Sequence, residues 1–170
     1  MNQTILVVDD DTEIAQTLQE FLTSKEYNLL LAQSAAEAIQ LIQNNKVDII
    51  LSDIRMPDKS GLDLFREFKE KIDTQNATPF ILMTGFADII SVQNAFNMGV
   101  NELIAKPFDL EAVGLVIDYL LGSERSHGSE YESFFSVPIQ EIILSKTSDY
   151  TLFLKVAEKY IRFTKSGQDF

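Results

Sequence analysis

The chain has 170 residues, a formal net charge of -12 and no cysteine. Its 45% hydrophobic content suffices for a packed core, while disulfides, thiol catalysis and thiolate metal sites are excluded. Such acidity argues against direct nucleic-acid binding by the main body and suits carboxylates gathered around a divalent cation.

The charge is uneven: residues 1–122 hold 19 acids against 8 Lys+Arg, and residues 123–170 hold 7 against 6. The apolar run after Met1 is only Ile5 to Val8 and acids follow it at once, which is no signal-peptide pattern. No apolar stretch approaches bilayer-spanning length, so a cytoplasmic protein without membrane attachment is expected.

Thr4 to Val8 read as a first strand that ends in Asp9-Asp10-Asp11. Asp11 or Thr12 caps a helix with Ile14, Ala15, Leu18 and Leu22 as its inner stripe. Leu29 to Ala32 make a second strand, and Ser34 with Glu37 forms a capping box for a helix that turns Ala38, Ile39, Leu41 and Ile42 inward. Val47 to Ser52 is a third strand, whose apolar run from Ile49 reads as buried on both faces. Asp53 closes it, followed by Ile54, Arg55, Met56, Pro57 and the turn residues Asp58 to Gly61.

Ser60-Gly61 opens a third helix with Leu62, Leu64, Phe65 and Phe68 inward. Pro79 to Thr84 is a fourth strand, and Asp88 caps a fourth helix that Gly99 ends. Glu102 to Ala105 is a fifth strand running into Lys106-Pro107, and Asp109 caps a last helix that buries Leu110, Val113, Val116, Ile117, Leu120 and Leu121. Strands alternating with helices predict an α/β domain whose parallel sheet is covered on both faces. Right-handed crossovers leave few topologies, the flavodoxin-like doubly wound order 2-1-3-4-5 among them.

In that sheet the ends of strands 1, 3, 4 and 5 place Asp9-Asp10, Asp53, Thr84 and Lys106 on one edge. Taken singly, each has a bland reading: Asp53 caps a turn, Thr84 closes a strand, Lys106 is a solvated charge. Together they fit a phosphoryl-transfer site. Crowded carboxylates stay ionised around a cation, an all-oxygen site with open positions suits Mg²⁺, and an aspartate can attack phosphorus to form an acyl phosphate. A lysine and a hydroxyl would then hold the phosphoryl oxygens.

On these residues, 1–122 resembles the receiver domain of two-component response regulators. The family's acid pair matches Asp9 and Asp10, its phosphoacceptor Asp53, its hydroxyl residue Thr84 and its lysine Lys106. The resemblance implies a signalling switch rather than an enzyme, phosphorylated by a sensor histidine kinase or phosphotransfer protein. It further implies that Asp10, Asp53 and the backbone carbonyl of Arg55 bind Mg²⁺, with Asp9 acting through water. The sequence departs from the family at Leu103, where the family usually carries a Tyr or Phe that moves inward as the hydroxyl residue engages the phosphate.

Residues 123–133 read as a Gly/Ser/charge linker that holds the single histidine, His127, and 134–170 as a small β-rich segment. Leu152 to Phe163 fits a hairpin with one apolar face, which must dock on the first domain, pair with a second copy of the chain, or begin a larger output domain. The segment is too short and acidic for a winged-helix DNA-binding module, so the downstream effector is left open. Two alternatives remain. One is a haloacid-dehalogenase-type phosphatase with Asp9 as nucleophile, which would need a second acid pair and a cap domain. The other is a pseudo-receiver acting only as a scaffold.

Overall fold

The structure, a computed structural model, describes residues 2–72, 77–85, 94–95 and 97–122. Its strands are β1 (Thr4–Val8), β2 (Asn28–Ala32), β3 (Ile49–Asp53), β4 (Phe80–Gly85) and β5 (Glu102–Lys106). Its helices are α1 (Thr12–Ser24), α2 (Ala35–Asn44), α3 (Gly61–Lys71) and α4 (Leu110–Leu120). All strand pairings are parallel, in the order β2-β1-β3-β4-β5. This is the flavodoxin-like doubly wound sheet expected from the alternation of strands and helices.

Two compact units divide the chain, Met1–Lys106 and Pro107–Phe170. In the first, the inner strands carry continuous apolar runs because both faces are covered. Ile5 to Val8 are fully buried, as are Ile49, Ile50 and Leu51 in β3 and Phe80 to Met83 in β4. Leu6, Val8, Ile50, Phe80, Leu82 and Leu103 share one cluster with α2 and α3, through Ala38, Ile42, Leu64, Phe65 and Phe68. The alternate residues of each strand point the other way, and α1, with Ala15, Leu18 and Leu22 buried, packs on β1 and β2 outside that cluster. Leu29 to Leu31 are equally apolar yet half-buried, because β2 is an edge strand.

Caps fix the helix starts as the sequence predicts. Asp11 Oδ1 accepts from Glu13 N–H at 2.9 Å, and Ser34 Oγ accepts from Glu37 N–H at 3.2 Å. Glu37 reaches back to Gln33 N–H at 2.8 Å, one residue before the position a capping box would use. Strand β3 begins two residues later than predicted. Asp48 is held in a two-way exchange with Thr4 instead, donating its N–H to Thr4 O and accepting Thr4 N–H on Oδ2, each at 2.9 Å.

Of the predicted fourth helix, residues 94–95 and 97–98 are described and helical, and Gly99 ends it at φ +83°. Its cap at Asp88 and its apolar positions Ile89, Val92 and Phe96 lie outside the described residues, as do the linker at 123–133 and the β-rich segment at 134–170. In the second unit, Asp109 caps α4 through Ala112 N–H at 3.0 Å, and Val113, Val116 and Ile117 are buried. Among the described residues no helix is long and apolar enough to cross a membrane.

Candidate functional site

The carboxyl ends of β1, β3, β4 and β5 deliver the predicted residues to one edge. Parallel registers align them: Asp53 pairs with Met83, the residue before Thr84, and Gly85 pairs with Lys106. Asp9 follows β1 directly and is 1% exposed, while Asp53, the last residue of β3, is 7% exposed and Thr84 8%. Asp10 is exposed.

Three of these groups meet. Lys106 Nζ lies 2.7 Å from Asp9 Oδ2 and 2.5 Å from Asp53 Oδ1, so one ammonium bridges two buried carboxylates. The remaining oxygens are held by the backbone. Asp9 Oδ1 accepts from Asp11 N–H at 3.0 Å, and Asp53 Oδ2 accepts from Arg55 N–H at 2.6 Å. Burial pushes the Asp9 carboxyl above the ordinary range, and the Lys106 hydrogen bond only partly restores it. For Lys106, burial works against the charge, but the bonds to Asp53 and Asp9 outweigh it and raise its pKa, so it stays an ammonium.

Thr84 does not join them in this state, because its hydroxyl donates to Gly85 O at 3.0 Å. Among the described residues, a Cβ on Gly85 would meet nothing nearer than the Arg55 guanidinium at 3.9 Å. Leu103 sits in β5 opposite Leu82, buried in the sheet's hydrophobic cluster.

Among the described residues, no group of three or more His, Cys, Asp or Glu side chains is drawn together as a metal cage. The donor chemistry nonetheless fits Mg²⁺, which takes one or two carboxylates and keeps several waters. Asp9 and Asp53 already direct oxygens at a single positive charge, the Lys106 ammonium, and Asp10, next to Asp9 in the chain, is exposed.

The family model described as the response regulator receiver domain matches residues 5–118. The chain belongs to the response regulator receiver family. The transcriptional regulatory protein GlrR of Escherichia coli is 34% identical over 67% of the chain and 25% of its own length. The transcriptional regulatory protein CpxR of Klebsiella pneumoniae is 33% identical over 75% of the chain and 52% of its own. The chain thus spans a quarter to about half of the curated relatives it matches.

Among solved structures, a putative response regulator from Chloroflexus aurantiacus superposes with a TM-score of 0.67 at 29% identity, over 72% of the chain and 99% of its own. The signal receiver domain of an HD domain-containing protein from Pseudomonas fluorescens gives 0.65 at 29% identity, over 76% and 93%. Receiver domains are signalling switches and generally bind Mg²⁺ at the phosphorylation site. Neither the phosphatase nor the scaffold alternative finds support in these matches.

The candidate site includes two groups that sequence reasoning missed. One is the Arg55 amide, which holds Asp53 and which no side-chain pattern announces. The other is Gly61: a Cβ at that position would lie 2.2 Å from Asp53 O and 2.9 Å from Leu82 Cδ2. Its signal was present in the sequence, since Ser60 already supplies the N-cap of α3 and leaves the glycine no capping role.

Proposed function

We propose that Asp53 accepts a phosphoryl group from the phosphohistidine of a sensor histidine kinase or phosphotransfer protein. The observation that carries this reading is the convergence of Asp9, Asp53 and Lys106 from three strand ends on one point. An Asp53 carboxylate oxygen forms the bond to phosphorus as the bond from phosphorus to the donor imidazole nitrogen breaks, the nitrogen keeping the electron pair. A phosphoryl group on Oδ1 falls within reach of Lys106, which stands beside that oxygen at 2.5 Å. Arg55 N–H fixes the other oxygen, and Thr84, by rotating its hydroxyl away from Gly85 O, supplies a donor to the phosphoryl oxygens.

Asp10, Asp53 and the Arg55 carbonyl would hold Mg²⁺, with Asp9 acting through water. When bound, the metal neutralises charge on the phosphoryl oxygens. The only reactions of the domain are then its own phosphorylation and dephosphorylation. Residues 1–122 form the receiver, 123–133 the linker, and 134–170 a segment that pairs with a second copy or belongs to a larger effector. Light scattering on the full chain separates the last two.

Acetyl phosphate with Mg²⁺, followed by intact-mass measurement, tests the assignment. A single phosphoryl adduct is expected on the native chain, with none on Asp53→Ala and none in excess EDTA. Equal labelling of native chain and variant would overturn it, and an adduct mapped to Asp9 would revive the phosphatase.

A further inference from the structure

The loop joining β3 to α3 is tied at three points. Gly61 N–H donates to Ile54 O at 2.9 Å and closes the neck. Arg55 N–H donates to Asp53 Oδ2 at 2.6 Å on the side that faces the phosphoacceptor. At the tip, the Asp58 carboxylate crosses to the start of α2, with Oδ1 3.4 Å from Ala35 N and Oδ2 3.2 Å from Ala36 N.

The first N–H groups of a helix have no partner within it. Ser34 answers one of them locally, at Glu37 N–H. Two others are answered from 23 and 22 residues further along the chain, by a carboxylate that belongs to the phosphoacceptor loop. Helix α2 is the fixed body of this pair, because Ala35, Ala38 and Ile42 are packed in the sheet's core cluster. Met56 packs against the same cluster, so the loop lies along the core between its two ends. The Asp58 carboxyl is held below the ordinary carboxylate range: burial opposes this, and the N–H groups of Lys59, Ala36 and Ala35 together outweigh it.

We infer that Asp58 is a positioning residue: by fastening the 54–60 loop to the N-terminus of α2, it holds the Arg55 backbone in place against Asp53. The consequence for phosphorylation rests on the reading of Asp53 given above, whereas the positional role does not. An ordinary helix cap would stabilise α2 and leave the Arg55 amide alone, which makes Ser34→Ala the matched control.

Amide hydrogen exchange at Arg55, followed by NMR on the full chain, reads the position directly. Asp58→Asn places an N–H₂ where one helix amide needs an acceptor, and Asp58→Ala removes both acceptors. In each, the Arg55 amide is expected to exchange about tenfold faster than in the native chain, and acetyl phosphate labelling to slow by about tenfold, as when supporting contacts around a metal site are lost. Ser34→Ala is expected to leave both quantities within about twofold while lowering helix stability. Equal Arg55 protection in the Asp58 variants and in Ser34→Ala would overturn the inference. So would equal slowing of labelling in both. If the native chain took no label while the Arg55 amide still responded to Asp58 alone, the phosphoacceptor reading would fall and the positional role would stand.

Discussion

At Lys106 one ammonium faces two carboxylates, of which Asp9 is only 1% exposed to solvent. Removing one partner of a buried ion pair leaves the other charge uncompensated, typically at about 3–5 kcal/mol. Lys106→Ala is therefore expected to destabilise the domain in EDTA by about 3 kcal/mol, the low end because Asp53 keeps some exposure. Mg²⁺ should return part of this, since the variant presents the same carboxylates to a cation with no ammonium competing. The same variant should lose its response to beryllofluoride, a phosphoryl mimic that the lysine would hold. Urea unfolding of native chain and variant, each in EDTA and in Mg²⁺, measures the first two effects. A variant as stable as the native chain in EDTA would contradict the charge argument.

Between elements, two glycines at the same edge call for opposite outcomes. Gly61 begins α3 with its Cα against the backbone of Asp53, where a Cβ would approach Asp53 O to 2.2 Å. Because that neighbour is backbone, it cannot swing aside, and Gly61→Ala is expected to cost at least the roughly 1–3 kcal/mol of an overpacked site. It should also slow labelling by moving Asp53. Gly85→Ala meets only the Arg55 guanidinium among the described residues and should keep native stability, with any loss confined to access by large donors; thermal melts and labelling by acetyl phosphate against a phosphorylated kinase separate the two. The strands, their order and the four strand-end residues were legible in the sequence because burial on both faces writes unbroken apolar runs, and parallel crossovers place every carboxyl end on one edge. The Asp58 bridge to Ala35 and Ala36 was not, since a carboxylate in a turn carries no mark of a partner 22 residues away. The start of β3 was misplaced for a similar reason: Val47 is a strand-forming residue just ahead of the apolar run, and only the Asp48–Thr4 exchange shows where pairing begins.

For the molecule as a whole, charge sets the pH dependence. A net charge of -12 at pH 7 repels itself in the compact state, and that repulsion eases as carboxylates begin to protonate. The acid side is limited by carboxylates held below their ordinary range in the fold. Asp48 is one: burial works against its charge, but the Lys46 ammonium at 2.7 Å and Thr4 N–H at 2.9 Å outweigh it. A depressed folded pKa means that its contribution is complete above the unfolded value, about 3.9, and is lost as pH falls through the folded one. The melting temperature in EDTA and low salt is therefore expected to rise from pH 8 to a maximum at about pH 5–6, then to fall below about pH 4. Adding salt should flatten the first limb, because it comes from exposed charges that ions screen. Asp48→Asn should lower stability by about 1 kcal/mol at pH 6, and this difference should shrink as pH falls below the unfolded value of about 3.9. Calorimetry of both chains across that range checks the two limbs separately. A melting temperature that climbed steadily from pH 4 to pH 8 in low salt, or a difference between the chains that did not shrink below about pH 4, would contradict this account.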